Sequence, residues 1–193
     1  MQYIITRDLF TESIIPVAIY LFLREWYNNP NNTPIVLSDE RYVKYYKWRW
    51  NMISDDLKQI IEKIESQGQK MRFFEPASET AINDFESKNE IQLPSKYKEW
   101  LRYSDGGEFY LPAGVQMYGV SNKPIINVED SDRPDERYTV IGALSFGDPV
   151  LCEKGNEKIS IFNIHAGRIE EDEIYEDFFD FLRNLSDILG IGE

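Results

Sequence analysis

The chain has 193 residues and a net charge of −13, and 42% of its residues are hydrophobic. A chain of this length buries roughly 70% of its unfolded surface and needs no covalent or metal staple; the lone Cys152 excludes an intramolecular disulfide and suits a reducing compartment. Residues 1–72 carry 10 basic and 9 acidic groups, a net of +1, whereas residues 73–193 carry 11 and 25, a net of −14; such a field argues against nucleic acid as a partner of the second part and favours encounter with basic proteins.

The apolar run Ile14–Leu23 is ten residues long, against the ~20 needed to cross a bilayer. Asp8 and Glu12 stand where a secretory signal places positive charge. A soluble, cytoplasmic protein with no membrane partner is expected. Thr11 or Ser13 would cap a first helix that tolerates Pro16 only in its opening turn, runs to Trp26 and Tyr27, and stops at Asn28–Asn32. A second helix is predicted from Ser38 to Gly68. Val43, Tyr46, Trp50, Ile53, Leu57, Ile60 and Ile64 recur at steps of three and four, so one face stays apolar. The two helices are expected to pair as an antiparallel hairpin, giving a first unit over residues 1–72.

From residue 73 the pattern changes. Pro76 and Ser78 open a helix with Ile82 and Phe85 inward, and Leu93-Pro94 opens another with Tyr97, Trp100 and Leu101 on its buried face. Asp105 is expected at the end of that helix, with Gly106 closing it in the left-handed conformation and Gly107 releasing an extended segment, Glu108 to Leu111. Strands follow at Val115–Val120, Tyr138–Leu144, Pro149–Cys152, Lys158–Ile164 and Arg168–Glu170, with breaks at Gly142, Gly147-Asp148, Gly155-Asn156 and Ala166-Gly167. The strand over 158–164 is apolar on both alternating sets, which implies burial on both faces. A final helix is predicted from about Ile174 to Leu189. Helices, an antiparallel meander and a closing helix make an α+β layout over residues 73–193.

The residues offer little for catalysis. Ser104-Asp105-Gly106-Gly107 follows a helix and precedes a strand, the reverse of a phosphate-binding loop, and Glu108 sets negative charge beside it. His165, the single histidine, falls in a turn, and Cys152 falls on an apolar strand where a thiol behaves as a small hydrophobe. One histidine and one cysteine make a zinc site improbable. The run Glu170-Glu171-Asp172-Glu173 lacks the spacing and glycine of a calcium loop and reads as a solvated acidic turn before the last helix. Glu129–Glu136 reads as an acidic loop. Arg41–Trp50 interleaves cations with aromatic rings, a pattern that suits single-stranded nucleic acid or, as the preferred reading, an aromatic packing face with a basic rim. No catalytic residue, cofactor or metal is expected.

Leu93-Pro94-Ser95-Lys96-Tyr97-Lys98-Glu99-Trp100-Leu101, followed by Ser104-Asp105-Gly106-Gly107, resembles the "LPxxYxxFL…NGG" signature of the SUKH superfamily. That superfamily includes yeast cell-wall synthesis regulators and bacterial immunity proteins. Tyr138–Gly142, Phe146-Gly147-Asp148-Pro149-Val150, the strand 158–164 and Asp177-Phe178-Phe179-Asp180-Phe181-Leu182 continue the resemblance in order, over about residues 75–189. Asp105 stands for the usual Asn, a change that turn geometry tolerates; Cys152 stands where an aspartate is common, and Asp177 for a Ser. The resemblance implies a twisted, mainly antiparallel sheet flanked by helices, and a non-enzymatic immunity protein that neutralises a polymorphic toxin domain, often a nuclease. The alternative is a regulatory adaptor acting through residues 1–72, by contact with another protein or with a second copy of the chain. For the toxin-binding reading, Asp130, Asp132, Asp135, Glu136, Glu170, Glu171, Asp172 and Glu173 are the candidate contacts, with Phe109 and Tyr110 as exposed aromatic anchors.

Overall fold

A computed structural model describes residues 49–112, 114–121 and 133–191. The expected first helix, the hairpin it would form, residues 41–48 of the basic aromatic stretch, and Asp130 and Asp132 lie outside the described residues.

Among the described residues, seven strands form one antiparallel sheet in chain order: β1 Lys70–Phe73, β2 Gly107–Leu111, β3 Val115–Met117, β4 Tyr138–Leu144, β5 Pro149–Glu153, β6 Ile159–Asn163 and β7 Arg168–Tyr175. Among the described residues, five complete helices accompany it: α1 Asp55–Ser66, α2 Glu79–Asn89, α3 Ser95–Tyr103, α4 Phe178–Arg183 and α5 Leu185–Ile188. This is the α+β class that the order of elements predicts.

The apolar stripe of the second predicted helix is real, but the helix is not continuous. Arg49–Asn51 end one helical segment, and Ser54 starts α1 afresh, its side chain accepting from the Leu57 amide at 3.3 Å. Trp50, Ile53, Leu57, Ile60 and Ile64 are all buried across the break. Residues 49–72 therefore share the core of the rest: α1 packs on α4, and β1, which the sequence reading missed, pairs with β2.

The principal core lies between the helices and one face of the sheet. Trp100 sits at its centre, tilted against Phe109 at 5.0 Å between ring centroids and edge-on to Phe73 at 5.3 Å. Ile141, Val150, Cys152, Ile159 and Ile161 come up from the sheet to meet Trp100, Phe178 and Phe181. Alternation sends Val140, Leu151 and Phe162 to the opposite face, where they form a second small buried cluster with Tyr138 and Ile169. Burial of β6 on both faces follows from this, as its composition predicts.

Helix ends are satisfied by identifiable groups. Ser78 caps α2 through the Ala81 amide at 3.1 Å. Pro94 offers no side-chain cap to α3, and Glu157 from the β5–β6 turn does the job instead, accepting from the Ser95 amide at 2.8 Å. Asp177 caps α4 by accepting from Phe179 at 2.7 Å and Asp180 at 2.9 Å; at that position Asp does what Ser would do. The predicted last helix is thus shorter than expected. Ile174 and Tyr175 belong to β7, and the helix begins only at Phe178.

Candidate interaction surface

The Ser104–Gly107 stretch is a structural joint. Helix α3 ends at Tyr103 and Ser104 is already extended, so the left-handed Gly106 (φ +87°) lies beyond the cap and does not close the helix. Ser104 Oγ accepts from the Phe74 amide at 2.8 Å, which ties the joint to the end of β1. Asp105 is buried, and its two oxygens accept from the amides of Val120 at 2.5 Å and Ser121 at 2.9 Å. A Cβ at Gly119 would come within 2.3 Å of the Asp105 carboxylate, and one at Gly106 within 2.9 Å of the Met117 carbonyl. Tyr97 Oη donates to the Tyr118 carbonyl, and burial pushes its ionisation well above the ordinary range. Leu93, Pro94, Tyr97, Trp100, Leu101, Phe178, Phe181 and Leu182 are buried. The motif residues make the core and its joints.

Neither aromatic anchor expected from sequence is exposed. Phe109 is wholly buried and Tyr110 nearly so, both in the principal core. The reason is a register shift between β1 and β2 at which Tyr110 takes φ +58°, so two consecutive rings turn to the same side. Tyr110 Oη then donates to Gln67 Oε1 at 3.1 Å. A one-residue irregularity of this kind leaves no sign in a hydrophobic pattern.

The predicted acidic turn is also corrected: Glu170–Glu173 lie within β7, an outer strand of the described sheet. Ile169 pairs with Phe162 and Ile174 with Ser160, so four residues of β7 stand opposite Ile161 alone. The acidic run is a bulge, held out from the ladder. Glu171 and Asp172 are exposed, and Glu170 pairs with Arg168 at 2.9 Å. Burial, with Asp148, Asp172 and Glu170 nearby, pushes the Glu173 carboxyl up. Asp135 and Glu136 are exposed as well but lie just before β4, three strands in from this edge. Arg137 partly neutralises Asp135 through a 2.9 Å ion pair. The described acidic candidates thus fall into two separate patches.

Two hairpin tips complete the β7 side. The β4–β5 turn contains Phe146 and Gly147, and Asp148 closes it as its carbonyl accepts from Leu144 at 2.9 Å. The β6–β7 turn contains Ile164, His165, Ala166 and Gly167. His165 is exposed there, as a turn histidine should be, and its amide donates to Asn163 Oδ1 at 3.1 Å. Cys152 is fully buried, and desolvation pushes its thiol up to about 12. Among the described residues, no three His, Cys, Asp or Glu side chains are grouped to hold a metal ion, and no helix is long and apolar enough to cross a membrane.

A comparison with curated proteins found no match. A family model does match, over residues 76–184, which spans α3, the Ser104–Gly107 joint, the strands β2 to β7 and α4. The capped helix, the glycine joint beneath the meander and the closing aromatic helix fall within that stretch, and the chain belongs to the SMI1/KNR4 family (SUKH-1).

Proposed function

We propose that this chain is a non-enzymatic immunity protein that acts in the cytoplasm by binding a basic toxin domain and occluding it. The observation that carries the reading is the acidic bulge of β7, where Glu171 and Asp172 stand exposed with no ion pair among the described residues. Surface carboxylates displayed off a rigid sheet raise the rate of encounter with a cationic partner and disfavour anionic ones. Membership of the family supports a role exerted through protein contacts, and a net charge of −14 over residues 73–193 fits a basic, nuclease-like partner. The second patch, Asp135 and Glu136, would add long-range attraction without sharing the contact.

The test is co-expression with the toxin domain encoded in the adjoining reading frame. Restored growth and a complex that co-elutes on size exclusion are the expected results. Growth arrest in the presence of the full chain, with no complex, would rule the reading out.

A further inference from the structure

The β4–β5 and β6–β7 turns lie at the same end of the sheet, and the structure ties them together. Asp148 is buried, and its Oδ1 accepts from the Ile164 amide at 3.2 Å. A Cβ on Gly147 would come 3.8 Å from Ile164 Cδ1, so the two tips are in van der Waals reach. Each tip exposes an apolar side chain: Phe146 is 57% exposed and Ile164 40%. Hairpin turns ordinarily carry polar residues, because nothing packs on them. Scattered exposed apolar residues are common, but two carried on adjoining, stapled turns can act as one patch. The acidic bulge begins three residues past the second tip, at Glu170.

We propose that Phe146 and Ile164 are the apolar anchor of a docking site for a basic protein domain, with the carboxylates of the β7 bulge as its charged rim. The inference rests on the toxin-binding reading and gives that reading a location. The partner it fits presents a shallow apolar cleft flanked by lysines or arginines: the rings and methyls fill the cleft and lose their water, while Glu171 and Asp172 meet the flanking cations. Such a division, with energy from a central apolar anchor and steering from a polar rim, is general to specific interfaces. Because the Asp148 staple holds both tips before binding, little ordering is left for the encounter.

The experiment uses the full chain and the purified toxin domain encoded beside it, with association and dissociation rates measured at two salt concentrations. The Phe146→Ser, Ile164→Ser double variant should weaken binding by about tenfold or more, chiefly through faster dissociation. The Glu171→Lys, Asp172→Lys variant should slow association and flatten its salt dependence. All four side chains are at the surface, so the thermal midpoint should stay unchanged; Phe146→Gln alone serves if the double variant does not fold. If the wild-type chain binds and the apolar variants lose less than tenfold, the docking site falls while the immunity reading stands. If the wild-type chain does not bind at all, both fall.

Discussion

Asp105 and Ser121 lie 16 residues apart in sequence, yet the Asp105 carboxylate accepts the Ser121 amide at 2.9 Å as it also accepts that of Val120. Both oxygens are used. An amide in place of the carboxylate would keep one acceptor and direct an N–H2 group at the other amide. Asp105→Asn should therefore cost about 1–2 kcal/mol, and Asp105→Ala about 2–3 kcal/mol because two buried donors lose their partner. Urea denaturation of the three proteins, followed by fluorescence, measures both. Equal stability of the Asn variant and the wild type would show that turn geometry alone selects this residue, as its sequence context suggests.

Arg49 anchors the chain that precedes α1. It is buried, its Nη2 donates to the Phe74 carbonyl at 2.6 Å, its Nε donates to the Tyr103 carbonyl, and its guanidinium lies 4.6 Å from the Tyr103 ring centroid. Lysine has the charge without the planar fork, so Arg49→Lys should lose most of what Arg49→Ala loses, about 2–3 kcal/mol. The same variants should increase protease cleavage before residue 55 while leaving the sheet intact. Limited proteolysis with mass spectrometry reads this directly.

Glu65 gives the stability a pH dependence. Burial, with Glu62 adding repulsion, raises its pKa from 4.5 to about 7. The folded state thus holds a proton that the unfolded chain has released, and the associated stability is complete below pH 4.5 and lost as pH rises through about 7. Glu65→Gln removes that loss. The variant should gain on the wild type between pH 5 and pH 8 by about 1 kcal/mol, after allowance for screening of a half-exposed carboxyl. Denaturation curves at the two pH values would show a constant difference if Glu65 titrates normally.

Cys152 reports on global unfolding. Fully buried and with its thiol pushed up to about 12, it presents almost no thiolate at neutral pH. Labelling by an aromatic disulfide reagent should be negligible in buffer and rise with the fraction unfolded as urea is added. Rapid labelling of the native protein would mean that β5 opens locally.

Much of the domain was legible because its signals are local. Ser78 and Pro94 mark helix starts, and Tyr97, Trp100 and Leu101 mark a buried face by spacing alone. Paired glycines and turn residues delimit the meander. What could not be read depends on register. The shifts opposite Tyr110 and Ile161 are set by pairing with another strand, and they decide that Phe109 and Tyr110 are buried and that Glu170–Glu173 belong to β7. Charge pulled the reading the same way, since four consecutive acids look like a turn until a neighbouring strand claims the residues on either side. The break at Ser54 was masked for a related reason: Trp50, Ile53 and Leu57 keep helical spacing across it. In the sequence Phe146 belongs to a motif and Ile164 to a strand; only the meeting of two turns through Asp148 brings them to one place.

The surplus residues in β7 have one more effect. A sheet that ends in a straight strand offers its unpaired amides and carbonyls to any extended chain, and seven strands can then become fourteen. Here the outermost ladder is broken midway by side chains that repel their own kind, and β1 at the other margin is only four residues long. Among the described strands, neither margin is a good template for fibril growth.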